Sequence, residues 1–138
     1  MPDMERWPTS RLLSTAARLV ELAWNDKLRP LGLTYPAVLT LDALAAAGPI
    51  TPGELARSVR VQAQTMGPLL TRLESRGYIR RQPNRFDRRS QLIFITDVGL
   101  TLLEQSHRQE NTVLSAIDLD SEDLREALLA IVRHTKFN

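Results

Sequence analysis

Between Leu69 and Thr96 the chain reads LLTRLESRGYIRRQPNRFDRRSQLIFIT, and no other stretch restricts the fold as strongly. Met66, Leu69, Leu70 and Leu73 recur at i, i+3, i+4 and i+7, the buried stripe of an amphipathic helix running from near Gln62 to Arg76. Gly77 follows, able to take the left-handed backbone that a helix exit requires. Tyr78–Gln82 and Gln91–Ile95 are strand-like and the intervening PNRFDRRS is too polar to bury, which predicts a β-hairpin. Both parities of Leu92-Ile93-Phe94-Ile95 are apolar, so alternation leaves open which side of the second strand faces inward. From Arg72 to Arg89 there are seven arginines against Glu74 and Asp87, a local charge of +5; the net charge is +2, so the remainder sums to −3. A basic patch on a near-neutral body suits a polyanion met by one face. A solvated arginine-rich loop is the competing reading, and charge alone does not choose.

Upstream, Pro8 with Thr9 or Ser10 predicts the start of a helix whose apolar positions are Leu13, Ala16, Ala17, Val20, Ala23, Trp24 and Leu28. Pro30 and Gly32 end it near Arg29. Thr34 is the expected cap of a second helix, with Pro36 in its first turn, Val38, Leu41, Leu44 and Ala45 on one side, and Gly48-Pro49 as its stop. Thr51, Pro52 and Glu54 form a capping box for a short third helix burying Leu55, Ala56 and Val59. Downstream, Thr96 caps a long helix with Val98, Leu102, Leu103, Val113, Leu114 and Ile117 at near-heptad spacing, whose polar middle EQSHRQEN allows a kink or a partly exposed middle. Asp120 is the expected cap of a last helix, with Asp123 as its third residue, Leu119 against Leu124 as a staple, and Leu124, Leu128, Ile131 and Val132 as its stripe.

At 138 residues, 43% of them hydrophobic and 25% charged, the chain is long enough for one folding unit with a real core. It contains no cysteine, which excludes disulfides, thiolate metal sites and thiol redox sensing and suits a reducing cytoplasm. No signal-like leader and no apolar run near the ~18 residues of a membrane span are visible, so a soluble intracellular protein without a membrane role is expected. No nucleophile–base pair, paired carboxylates, phosphate loop or dinucleotide fingerprint stands at motif spacing, and no enzyme is expected.

The order of four helices, a hairpin and two more helices predicts a mainly α protein with a small β wing: a winged helix-turn-helix flanked by N- and C-terminal helices. On the fourth helix the side opposite the leucine stripe carries Gln64, Pro68, Thr71 and Ser75, flanked by Gly67 and Arg72. Amides and hydroxyls on an uncharged face match the donor and acceptor edges of a major groove, so Gln62, Gln64, Thr65, Thr71 and Arg72 are the candidate base readers, with Pro68 a weak partner for a thymine methyl. Arg85, Arg88 and Arg89 lie where a wing tip meets phosphates or the minor groove. Asp87 would repel phosphate there, so it and Arg76 are read as wing-stabilising, Asp87 pairing with Arg89 or with Arg76. A winged-helix protein-interaction module without specific DNA binding is the alternative, distinguished by tolerance of Arg88 and Arg89 replacement and by little salt dependence.

LLTRLESRGYIRR followed by DRRSQLIFITDVG resembles the MarR family of bacterial transcriptional regulators. Asp87 and Arg89 match that family's Asp-x-Arg in the wing, Ile95-Thr96 stands for its Leu-Thr, and Gly99 matches its glycine, whereas Gly67 and Pro68 replace residues that are commonly polar or basic. The resemblance covers the full length. It implies a single domain over 1–138, with 9–31 and 97–138 as dimerisation helices around a 34–96 winged core. It further implies a homodimer on a pseudo-palindromic operator in double-stranded DNA, repression, and release by a small phenolic or aromatic acid bound between the two regions. Trp7, Trp24 and Tyr35 are the candidate lining of such an aromatic effector site, with core or dimer packing the competing role for Trp24. His107 and His134 are too far apart in sequence to suggest a zinc site and are read as surface or interface residues; no metal or cofactor is expected.

Overall fold

The computed structural model describes residues 3–116 and 121–135. Its elements run α1 (Thr9–Leu28), α2 (Tyr35–Ala47), α3 (Pro52–Val59), α4 (Ala63–Ser75), β1 (Ile79–Pro83), β2 (Gln91–Ile95), α5 (Asp97–Ala116) and α6 (Glu122–His134). Mostly helical, with β1 and β2 forming an antiparallel hairpin after the fourth helix, this is the winged helix-turn-helix architecture read from the sequence. Short 3-10 turns at Met4–Arg6 and Arg29–Leu31 flank α1, and Gly32 (φ 70°) carries the chain out of the second.

α2 is the centre of the core. Ala37, Val38, Thr40, Leu41 and Leu44 are buried, against α1, α3, α5 and β2. Thr40 survives there because its hydroxyl donates to Pro36 O (2.9 Å), which removes the cost of an unpaired buried hydroxyl. Ala45 does not join the buried side: it sits in the exposed last turn, beyond the elements that cover the middle of the helix. Leu55, Met66, Leu70, Ile79 and Ile93, each at most 2% exposed, complete the cluster around α2.

The register Ile79↔Ile95, Arg81↔Ile93 and Pro83↔Gln91 settles which side of β2 faces inward. Ile79, Arg81, Ile93 and Ile95 share one face of the hairpin, and Ile93 on it is fully buried. A third segment pairs with β2: Ile93 N donates to Ile50 O (2.8 Å), so the residue after Gly48-Pro49 ties the wing to the start of α3.

Thr96 and Gly99 lock α5 against the exit of α4. Thr96 N donates to Tyr78 O (3.0 Å), its hydroxyl donates to Gly77 O (2.6 Å) and accepts from Gly99 N (3.1 Å). A Cβ on Gly99 would collide with the Tyr78 carbonyl oxygen and come within 2.9 Å of Ile95, so the glycine is a packing requirement. α5 then runs as one unbroken helix through its polar middle, which is partly exposed at Glu104, His107 and Arg108. Ser106, buried on this helix, gives its proton to Leu103 O (2.6 Å).

The N-cap of α6 is Ser121 in place of the expected Asp120, because the Ser121 hydroxyl reaches Leu124 N (3.4 Å); Asp123 is therefore the second helical residue. Leu119, Asp120 and Ile117, and the side chains of Val113 and Leu114, lie outside the described residues. No single helix among the described residues is long and apolar enough to cross a membrane.

Candidate nucleic-acid interface

α3 and α4 are joined by Arg60, Val61 and Gln62. Arg60 makes the turn with a left-handed backbone (φ 58°), its N–H bonding Ala56 and Arg57 carbonyls while Val61 N returns to Ala56 O (3.0 Å). Gly or Asn normally occupies such a position, so the sequence gives little signal of it. Gln62 begins α4 with an extended backbone, and its side-chain oxygen accepts from Gln64 Nε2 (2.7 Å) instead of capping the helix.

Pro68 does not break α4, which remains helical from Ala63 to Ser75. The proline withholds one donor from the Gln64 carbonyl, and that carbonyl lies on the exposed side where solvent can supply one. Gln62, Gln64, Thr65, Gly67, Pro68, Thr71 and Arg72 are all exposed, an almost uncharged strip, while Met66, Leu69, Leu70 and Leu73 are buried beneath it. Nothing lies within 4 Å of a Cβ at Gly67, so the strip is recessed there. Thr71 differs from its neighbours: its hydroxyl donates to Gly67 O (3.1 Å) and receives Arg81 Nη2 (3.4 Å), so its proton is committed inside the protein.

Arg81 is a residue that charge counting grouped with the rest. Strand alternation from Ile79 puts it on the core face, where its Nε lies 3.3 Å from Glu74 Oε1, an ionic contact whose angle is too poor for a hydrogen bond. With its side chain only 23% exposed it braces β1 against α4 and does not face outward. Arg76 also points away from the wing, donating from Nη1 to Gly32 O (3.1 Å) and so tying the end of α4 to the α1–α2 turn. Of the two partners considered for Asp87, the geometry therefore selects Arg89.

The wing tip is built by its own side chains. Asn84 Oδ1 accepts from Phe86 N (3.0 Å), Asp87 Oδ1 accepts from Arg89 N (3.0 Å), and Asn84 Nδ2 donates to Ser90 Oγ (3.1 Å). Backbone bonds from Asn84 N to Ser90 O (3.2 Å) and from Ser90 N to Asp87 O (3.1 Å) close the turn. These paired Asx turns hold Arg85, Arg88 and Arg89 outward. Arg89 Nε approaches Asp87 Oδ1 at 3.4 Å while the arginine stays 93% exposed, a contact too solvated to neutralise it. Among the described residues, Arg85 and Arg88 have no ionic partner. An open groove of about 790 Å³ separates this tip from the first turn of α3, with Arg88 and Arg89 facing Thr51 and Glu54 across it.

A second concavity lies where α1, α2 and α5 meet. Trp24 is buried with its ring 5.5 Å from that of Tyr35, and both line a cavity of about 210 Å³ with Val20, Val38, His107 and Glu110. Asp42 on the same rim contacts His107 Nε2 (2.8 Å), joining α2 to α5. Burial, then the carboxylates of Glu21, Glu110 and Asp42, pushes the Tyr35 phenol above its ordinary value of 10.0. Trp7 is not part of this site: it precedes α1, roughly 25 Å along the helix from Trp24, and stacks instead under the Arg11 guanidinium at 3.7 Å. His134 is exposed on α6, remote in sequence from His107 on α5.

The chain matches the family model described as "MarR family" over residues 31–90. It is 32% identical over 102 residues to the multiple antibiotic resistance protein MarR of Salmonella typhimurium, covering 74% of this chain and 71% of that protein. It is 29% identical over 120 residues to the organic hydroperoxide resistance transcriptional regulator of Bacillus subtilis, covering 87% and 82%. Among solved structures, a mutant of MarR from E. coli complexed with operator DNA superposes with a TM-score of 0.80 at 27% identity, over 94% of each chain.

Proposed function

The chain belongs to the MarR family of transcriptional regulators, and from that membership we propose that it binds double-stranded DNA sequence-specifically, as a homodimer on a pseudo-palindromic operator, and acts as a repressor. The observation that carries the reading is the juxtaposition of an exposed, nearly uncharged α4 strip with the outward arginines of a braced wing. In this reading Gln62, Gln64, Thr65 and Arg72 read base edges, with Thr71 confined to accepting because its proton is held by Gly67 O. Arg85, Arg88 and Arg89 supply phosphate or minor-groove affinity. Asp87 holds the tip, and Arg76 and Arg81 position the helix behind it.

Dimerisation is supported by apolar surface that the fold leaves uncovered. Leu12, Leu13, Leu19 and Leu22 on α1 and Leu128, Ile131 and Val132 on α6 are each more than a third exposed. An apolar groove lined by Leu13, Ala17, Val20, Leu124 and Leu128 runs between the two helices. A second copy covering this face would give the two recognition helices that a pseudo-palindrome requires.

The Trp24–Tyr35 cavity is the proposed effector site. Asp42 and Glu110 set two carboxylates against one imidazole on its walls, so the lining favours a neutral or cationic aromatic over an aromatic acid.

Binding to the promoter fragment upstream of its own or a neighbouring gene, titrated across salt, tests the function. Affinity is expected to fall steeply with salt; Arg89→Ala weakens binding broadly, whereas Gln64→Ala relaxes sequence preference. Salt-insensitive binding that neither substitution changes would instead favour a winged-helix interaction module.

A further inference from the structure

Phe86 is left unexplained by arginines that track a phosphate backbone. Its residue surface is 98% exposed, a full aromatic ring standing in solvent at the end of the wing. The tip holds it there. Its own N–H is bound by Asn84 Oδ1 (3.0 Å), the next N–H, of Asp87, is bound by Asn84 O (3.3 Å), and Asn84 is clamped to Ser90 at both backbone and side chain. Arg85 precedes Phe86 and Arg88 follows it after Asp87, neither arginine with an ionic partner among the described residues, so one tip presents an exposed ring together with two unpaired positive charges.

That arrangement has the chemistry of a groove whose walls are phosphates and whose floor is base pairs. Guanidinium groups suit the walls. A phenyl ring has no donor or acceptor with which to read a base edge, so its favourable contact on the floor is the flat face of a base exposed by opening a step. An acidic protein surface would match the arginines equally but would need a dedicated apolar pocket for the ring, whereas a duplex offers a base face at every step.

We propose that Phe86 is an apolar wedge that enters the minor groove beside each half-site and partly unstacks one base step, favouring a flexible pyrimidine–purine step there. The proposal rests on the reading of this chain as a DNA-binding regulator and adds a contact that the arginines and α4 do not supply.

The test uses the full chain and the duplex that the wild type enriches most from a random-sequence pool, with 2-aminopurine placed in turn at the steps flanking each half-site. Wild type is expected to raise the fluorescence at one flanking step on binding. Phe86→Ala should abolish that rise and weaken binding on the order of tenfold with an unchanged salt slope, and Phe86→Leu should keep most of both. An unaltered thermal unfolding curve for Phe86→Ala, expected for so exposed a residue, separates these effects from misfolding. Phe86→Ala binding as tightly as wild type, or binding more weakly with the fluorescence rise intact, overturns the wedge while leaving the regulator reading standing. Enrichment of no duplex by the wild type would overturn both.

Discussion

Replacing Gly99 by alanine should destabilise this protein, and the same change at Gly67 should cost far less. At Gly99 the new methyl meets the carbonyl oxygen of Tyr78, a backbone atom that no rotamer change can move, and lies 2.9 Å from Ile95 Cγ1. The start of α5 must shift away from the α4 exit, which strains two hydrogen bonds: Thr96 N to Tyr78 O (3.0 Å) and the Thr96 hydroxyl to Gly77 O (2.6 Å). Overpacking costs about 1–3 kcal/mol and each such bond about 1 kcal/mol. Against that, alanine regains at most about 1 kcal/mol of helix propensity. The net loss is about 3 kcal/mol, which for a chain of this size lowers Tm by roughly 10 °C. At Gly67 no atom beyond its chain neighbours lies within 4 Å, so a helix-propensity gain of up to about 1 kcal/mol is opposed only by the new methyl meeting the Pro68 ring, and a change far smaller than at Gly99 is expected. Thermal and urea unfolding of both variants measure the pair. Equal shifts in the two variants, or a Gly99→Ala variant as stable as wild type, would refute the claim that close approach of backbone dictates Gly99. The Gly67 variant carries a second readout: a methyl in the recessed α4 strip should alter operator affinity although stability changes little.

Other consequences are smaller. Arg60→Gly removes left-handed strain at the helix-turn-helix corner and should raise the urea midpoint by the equivalent of about 0.5–1 kcal/mol with unchanged m; a lower midpoint would show that the arginine side chain supports the turn. The Tyr35 phenol is raised by burial and neighbouring carboxylates, so the native state holds that proton longer than the unfolded chain. The associated stability is full below pH 10 and is lost as pH rises through the native value, and Tyr35→Phe should flatten the decline seen above pH 10 in denaturation titrations. Ile131→Glu with Val132→Glu should convert a dimer into a monomer by sedimentation at micromolar concentration while helix content is retained. Titration of the DNA complex with a neutral phenol and with the matching benzoate should release DNA more readily with the phenol, through a cavity that Trp24→Ala alters.

Local chemistry in the sequence was sufficient for the elements. Thr34, Thr51 and Thr96 cap as their hydroxyls allow, Gly77 takes positive φ (79°), and the i, i+3, i+4, i+7 stripe of α4 is buried, because each depends on atoms only a few residues apart. The cap of α6 moved by one residue because neighbouring serine and aspartate offer equivalent acceptors, and only backbone position chooses between them.

The interface residues divide along the same line. Local composition marked the arginine-rich wing and the amide-and-hydroxyl face, but not which arginines are available. Arg76 is taken by Gly32, 44 residues away, and Arg81 by Thr71 and Glu74, because strand parity and the crossing of α4 with β1 direct their side chains inward. The Ile50–Ile93 bridge, the distance of Trp7 from the aromatic cavity and the meeting of Asp42 with His107 likewise depend on how separate elements pack. Periodicity and capping act within a turn or two of chain, so the sequence by itself determined the helices, the hairpin and its charge. Which groups spend that charge on one another, and which keep it exposed to solvent, was decided only when the elements met.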